Sequence, residues 1–122
     1  MKWYLLAVAA LHAAFMLCEL FPWRFPVLLR IVSKKLPDVR TGEQWTDLQQ
    51  PLVATIVHNA GIYNGILAGG LFWAALPGDP APGVARVLLV GAAVAGIFGT
   101  ATLKSPITAL QAVLGIIGFA LV

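Results

Sequence analysis

Four long apolar runs, separated by stretches that are either polar or rich in proline and glycine, take up most of this 122-residue chain. Each run is close to the ~20 residues that a helix needs to cross a bilayer. With 60% hydrophobic and only 11% charged residues, the chain has too little polar surface for an ordinary soluble enzyme. The expected class is all-α, a polytopic membrane protein built as a four-transmembrane-helix bundle. Four crossings would use about 80 residues, so residues 1–122 form one domain with no room for a separate soluble unit.

The boundaries follow from the breakers. The first helix covers about 3–23, with Trp3 and Trp23 at its ends, where indole rings favour the headgroup layer. A cleavable signal peptide is the competing reading of this run. It lacks a small-x-small cleavage pattern, and Glu19 interrupts its apolar core. The second helix covers about 52–76 and stops at the Pro77-Gly78-Asp79-Pro80 turn. The third covers 84–103, and Lys104-Ser105-Pro106 opens the fourth, 106–122, with Pro106 in its first turn. The polar connection 24–50 holds Arg24, Arg30, Lys34, Lys35 and Arg40, and residues 25–36 suit a short amphipathic helix on the membrane surface. Pro37 ends that helix.

These basic residues bear on the net charge of +3. They are gathered in one connection, which fits membrane topology rather than nucleic acid, and no nucleic-acid partner is expected. With four crossings, Lys2 and Arg86 lie on one side and Arg24, Arg30, Lys34, Lys35, Arg40 and Lys104 on the other. The second side is therefore expected to be cytoplasmic, with both termini outside and the 24–50 connection inside. The single cysteine, Cys18, excludes an internal disulfide and packs as a small apolar group.

Two glycine-rich faces suggest close helix packing: Gly61, Gly65 and Gly69 on the second helix, and Gly91, Ala95 and Gly99 on the third. Function is sought in the polar residues within the apolar runs. His12 and Glu19 are seven apart, on nearly the same helical face and ~10 Å from each other along the axis. The second helix carries His58, Asn59, Tyr63 and Asn64, and the fourth carries Gln111. Placed by topology, these groups fall in one half of the bilayer. Because lipid does not satisfy them, they are expected to face inward around a small polar chamber. The bland alternative is that they hydrogen-bond one another as helix glue.

The chamber implies a ligand-binding set of His12, Glu19, Asn59, Tyr63, Asn64 and Gln111. The leading expectation is binding or transport of a small solute or a proton, with Glu19 and His12 supplying exchangeable protons. Assembly into a homodimer would supply the second gate that one small bundle lacks. The alternative is an intramembrane acid/base enzyme, an isomerase or hydrolase acting on a lipophilic substrate, with His12 and Glu19 as the catalytic candidates. No nucleophile motif or cofactor fingerprint accompanies them. A metal or haem site on His12, Met16, Glu19 and His58 is weak, because the ligands are of mixed hardness and not densely spaced, and no cofactor or metal is expected. A scaffold role as a small partner subunit is also compatible with the glycine faces.

Three strings give the chain a likeness. They are His12-x-x-Phe15-x-x-x-Glu19-x-x-x-Trp23, Asn59-x-Gly61-x-Tyr63-Asn64-Gly65-x-Leu67-x-x-Gly70-Leu71-x-Trp73, and Gly96-x-x-Gly99-x-x-Thr102 followed by Gln111. The chain thereby resembles the small integral membrane proteins grouped as domain of unknown function 1304. The resemblance implies four helices and a bacterial-type inner (plasma) membrane, and it brings no activity with it. The chain departs from that pattern in residues 25–50, which are longer and more polar.

Overall fold

The computed structural model describes residues 2–21, 49–78 and 82–122. Among them all regular structure is helical: α1 (Lys2–Leu20), α2 (Gln49–Ala74), α3 (Pro82–Leu103) and α4 (Pro106–Leu121). The expected surface helix over residues 25–36, and the 24–50 connection up to residue 48, lie outside the described residues.

Local chemistry explains the ends. Expected to reach residue 23, α1 stops at Leu20. Phe21 precedes Pro22, and the proline ring disfavours helical backbone at the residue before it. Beyond α2 the chain turns through Gly78 at φ 110°, a conformation that suits a residue without Cβ. The α3–α4 corner is only two residues long. Lys104 adopts φ 49°, the left-handed step that commonly follows a helix. Ser105 then caps α4, its Oγ accepting from the Ile107 N–H at 3.3 Å, and Pro106 starts the helix without wasting a donor.

The helices form two antiparallel hairpins, α1 with α2 and α3 with α4. Leu5, Val8 and Ala9 of α1, Leu71 of α2, Ala75 just beyond it, and Ala85 and Leu89 of α3 make one buried cluster. The Tyr4 hydroxyl donates to the Leu114 carbonyl, tying α1 to α4. Gly70 of α2 faces the Leu88 side chain of α3.

Within the second hairpin the backbones touch. A Cβ on Gly96 would stand 2.3 Å from the Ala112 nitrogen, and one on Gly115 would stand 2.5 Å from the Ala93 nitrogen. The packing face of α3 is thus Ala92, Gly96 and Gly99. Of the residues expected there, Gly91 and Ala95 are exposed, and Gly91 meets only the Leu67 side chain, at 3.8 Å. Small residues surround α3 on several sides, and the face used is set by where α4 lies.

In the first hairpin, Gly61 lies against Leu20 and Glu19, Gly65 lies against Met16, and Gly69 faces open space. This register leaves the first three turns of α2 running past the end of α1. A Cβ on Gly65 would come 2.6 Å from the Met16 sulfur, the far part of a flexible side chain. Gly65→Ala should therefore change stability by less than about 1 kcal/mol, as Met16 swings aside and the helix gains propensity. Thermal unfolding of the purified variant checks this. A larger loss would mean that Met16 is locked.

The outer surface carries large apolar side chains. Ile66 is 62% exposed, Val87 71% and Phe98 70%. Among the described residues only Lys2, Glu19, Arg86 and Lys104 carry formal charge, and all four lie near helix ends. Two helices, α1 and α3, are long and apolar enough to cross a membrane, and α4 is a shorter apolar helix of 16 residues.

Candidate functional site

The candidate site lies in the seam between α1 and α2. His12 and Glu19 occupy the α1 face that meets α2, as their seven-residue spacing dictates. Asn64 reaches them from α2. It sits between Gly61 and Gly65, whose missing side chains let α1 approach, so its amide falls between the two ionisable groups.

The hydrogen bonds run in one line. Asn64 Nδ2 donates to Glu19 Oε2 at 2.7 Å, and Asn64 Oδ1 lies 2.8 Å from His12 Nδ1. A carbonyl oxygen only accepts, so in this arrangement Nδ1 carries the hydrogen. The neutral ring then has its free lone pair on Nε2. Among the described residues that nitrogen has no hydrogen-bond partner, and it belongs to a side chain with no exposed surface. The Phe15 ring packs edge-on against the imidazole, with centroids 5.8 Å apart and planes at 83°. Glu19 is half-buried, one residue from the end of α1. The line therefore leads from a helix end to a closed interior position ~10 Å deeper.

A buried acceptor without a donor costs about 1–3 kcal/mol and calls for an explanation. Chemically, Nε2 is a place for a proton or a hydrogen-bond donor. Among the described residues no three His, Cys, Asp or Glu side chains converge as they would around a metal ion.

The structure joins three of the six expected site residues and leaves three apart. Tyr63 is 69% exposed, and Asn59 is exposed as well. Helical geometry explains this: Asn59 is five residues from Asn64, about 140° around α2, and Tyr63 is about 100° away. The three cannot share one inward face. Gln111 is buried, 6% exposed, on α4 next to Ala112, which packs on Gly96. It makes no hydrogen bond to His12, Asn64 or Glu19. In the same hairpin, Thr100 donates to the Gly96 carbonyl at 2.7 Å, and its hydroxyl oxygen lies 3.3 Å from Thr108 Oγ1. The buried and half-buried polar groups thus divide between two hairpin seams, and Asn59 and Tyr63 lie on the outer surface.

An apolar groove of about 380 Å³ runs along the outside of the α1–α2 seam, bounded by Leu6, Ala10, Ala13 and Met16 and by Gly69 and Phe72. None of the six residues lines it. The spacing of His12 and Glu19 was readable from sequence, whereas the Asn64 bridge was not, because it depends on the register of two helices. The one local signal was the pair of glycines flanking that asparagine.

The family model described as "Protein of unknown function (DUF1304)" matches residues 6–122. No curated protein and no solved structure matches the chain.

Proposed function

The chain belongs to the DUF1304 family, whose description assigns no activity, and from its own geometry we propose an integral membrane protein with a proton-binding site at Glu19, Asn64 and His12. The observation that carries this reading is the unpartnered, fully buried Nε2 at the inner end of a line whose outer end is a carboxylate.

Support for the membrane comes from the outer surface. Side chains such as Val94 (60% exposed), Ile97 (54%) and Ile116 (53%) would form an apolar patch far beyond what a soluble monomer shows, and lipid covers them without cost. The basic residues support an orientation in which the 24–50 connection and Lys104 face the cytoplasm and both termini face outward; an inner (plasma) membrane setting is what the family resemblance implies. Glu19 then opens toward the cytoplasm. On the other side of His12 the way is blocked by Leu5, Val8, Leu71 and Leu89.

In the arrangement described, with Glu19 ionised and the ring neutral, the three side chains carry one net negative charge. Adding a proton at Nε2 makes the set neutral, which a low-dielectric interior favours. A second neutral arrangement exists. With the Asn64 amide turned over, a protonated Glu19 donates to Oδ1, Nδ2 donates to a bare Nδ1, and Nε2 keeps its hydrogen. Between the two neutral arrangements one proton has moved from imidazole to carboxyl. A site loaded from one side and closed on the other is what a proton-coupled carrier or sensor requires. Proton binding is better supported than an acid/base enzyme, since neither His12 nor Glu19 lines the apolar groove along the α1–α2 seam.

The test is proton exchange at the His12 ring, followed by NMR on ring-labelled protein in nanodiscs. The hydrogen is expected on Nδ1 of the neutral ring while Glu19 is ionised, and exchange with solvent should slow by about a hundredfold in Glu19→Leu. Equal exchange in the variant, or a neutral ring protonated on Nε2 beside an ionised Glu19, would overturn the proposal.

A further inference from the structure

His58 takes no part in the line from Glu19 to His12, yet its place on α2 bears on that line. His58, Gly61, Gly65 and Ala68 follow at intervals of three, four and three residues and make one stripe of the helix. It is the stripe on which α1 packs. A Cβ on Gly61 would meet the Leu20 side chain at 3.0 Å and the Glu19 Cβ at 3.1 Å, and Gly65 lies against Met16. His58 comes next, ~4.5 Å along the axis from Gly61, just past the point where α1 stops at Leu20. It is half-buried there, while its neighbour Asn59 is exposed. Of the titratable side chains on α2, His58 and Tyr63, only His58 lies on this stripe.

Two features of this end give the imidazole a task. The last turn of α1 has no basic side chain of its own, and the unsatisfied carbonyls of a helix C-terminus favour a cation beside them. Leu20, one residue nearer the helix end than Glu19, fills the space over Gly61. It narrows the way from water to a carboxylate already turned inward to Asn64. Helical side chains also lean toward the start of their own helix. Because α1 and α2 run antiparallel, that lean carries Glu19 inward and His58 outward, one behind the other along the seam. Imidazole is the side chain that both takes and releases a proton near neutral pH.

We infer that His58 is the proton collector of this site: its imidazole takes a proton from water at the membrane surface and releases it, by way of water at the end of α1, to the Glu19 carboxylate. Each transfer leaves the ring neutral and ready to take the next proton, and leaves Glu19 as the carboxylic acid that supplies His12. The inference rests on the proton-site reading above, and it adds a residue that acts through Glu19 without touching Asn64 or His12.

The experiment follows exchange of the His12 ring hydrogen by NMR, on full-length ring-labelled protein in nanodiscs at neutral pH and low buffer concentration. His58→Ala and His58→Gln are both expected to slow exchange by about tenfold, less than Glu19→Leu does, because water still reaches Glu19 directly. The glutamine keeps the bulk and hydrogen bonding of the side chain but carries no proton. Imidazole added to the solution should restore most of the rate in His58→Ala and leave Glu19→Leu slow. A wild-type rate in either His58 variant, or a slowed rate that imidazole does not raise, would overturn the collector. Glu19→Leu separates the two readings. If it exchanges like wild type, the proton site itself falls; if it is slow while the His58 variants are not, only the collector does.

Discussion

Asn64→Leu is expected to destabilise the protein by about 2–4 kcal/mol, a large part of the stability of so small a domain. The substitution removes two hydrogen bonds at once, leaving His12 Nδ1 and Glu19 Oε2 without partners. Each buried polar group so stranded costs about 1–3 kcal/mol. Half-buried Glu19 recovers part of its share by turning toward the helix end, while fully buried His12 cannot. The triple variant His12→Leu, Asn64→Leu, Glu19→Leu should regain most of the loss, because polar partners replaced together leave nothing unpaired. Thermal unfolding of the single and triple variants in one detergent measures both effects. An Asn64→Leu protein as stable as wild type would show that the line does not form, and a triple variant no better than the single would point to packing as the cause.

Gly96→Leu should be at least as damaging. Even the Cβ would lie 2.3 Å from the Ala112 nitrogen, 2.7 Å from its Cα and 2.8 Å from the Thr108 carbonyl oxygen. These atoms are backbone and cannot swing aside as Met16 does for Gly65. The helices of the second hairpin would have to separate, losing the opposing Gly115–Ala93 contact as well. Overpacking of this kind costs about 1–3 kcal/mol and sometimes more, and the leucine branch adds to it. The expected result is a broad, early unfolding transition and an aggregating peak in size-exclusion chromatography. A variant that elutes and melts like wild type would show that the hairpin seam is looser than described.

The contrast between these glycines shows what sequence could and could not reveal. Four helices in an all-α chain were legible because proline, glycine and a capping serine punctuate apolar runs, and each acts through its own backbone chemistry. The shared face of His12 and Glu19 was legible because it is a property of one helix. Asn59, Tyr63 and Asn64 are brought together by their depth in one half of the bilayer, yet 3.6-residue periodicity alone separates Asn59 from Asn64. Counting degrees around the helix would have divided that set. The Asn64 bridge and the choice of Ala92, Gly96 and Gly99 over Gly91 and Ala95 depend on a neighbouring helix. No single run of residues encodes that. A helix with small side chains on several sides offers several equivalent faces until its partner arrives.

The unequal helix lengths carry a consequence for the surrounding lipid. The 26 residues of α2 extend ~39 Å, against ~24 Å for the 16 of α4, and a hydrocarbon layer measures ~30 Å. On the membrane reading, the bilayer must thin beside α4 while α2 leans or projects into the headgroups. Short-chain lipids should relieve that mismatch, so acyl-chain length becomes a variable to which this small protein responds.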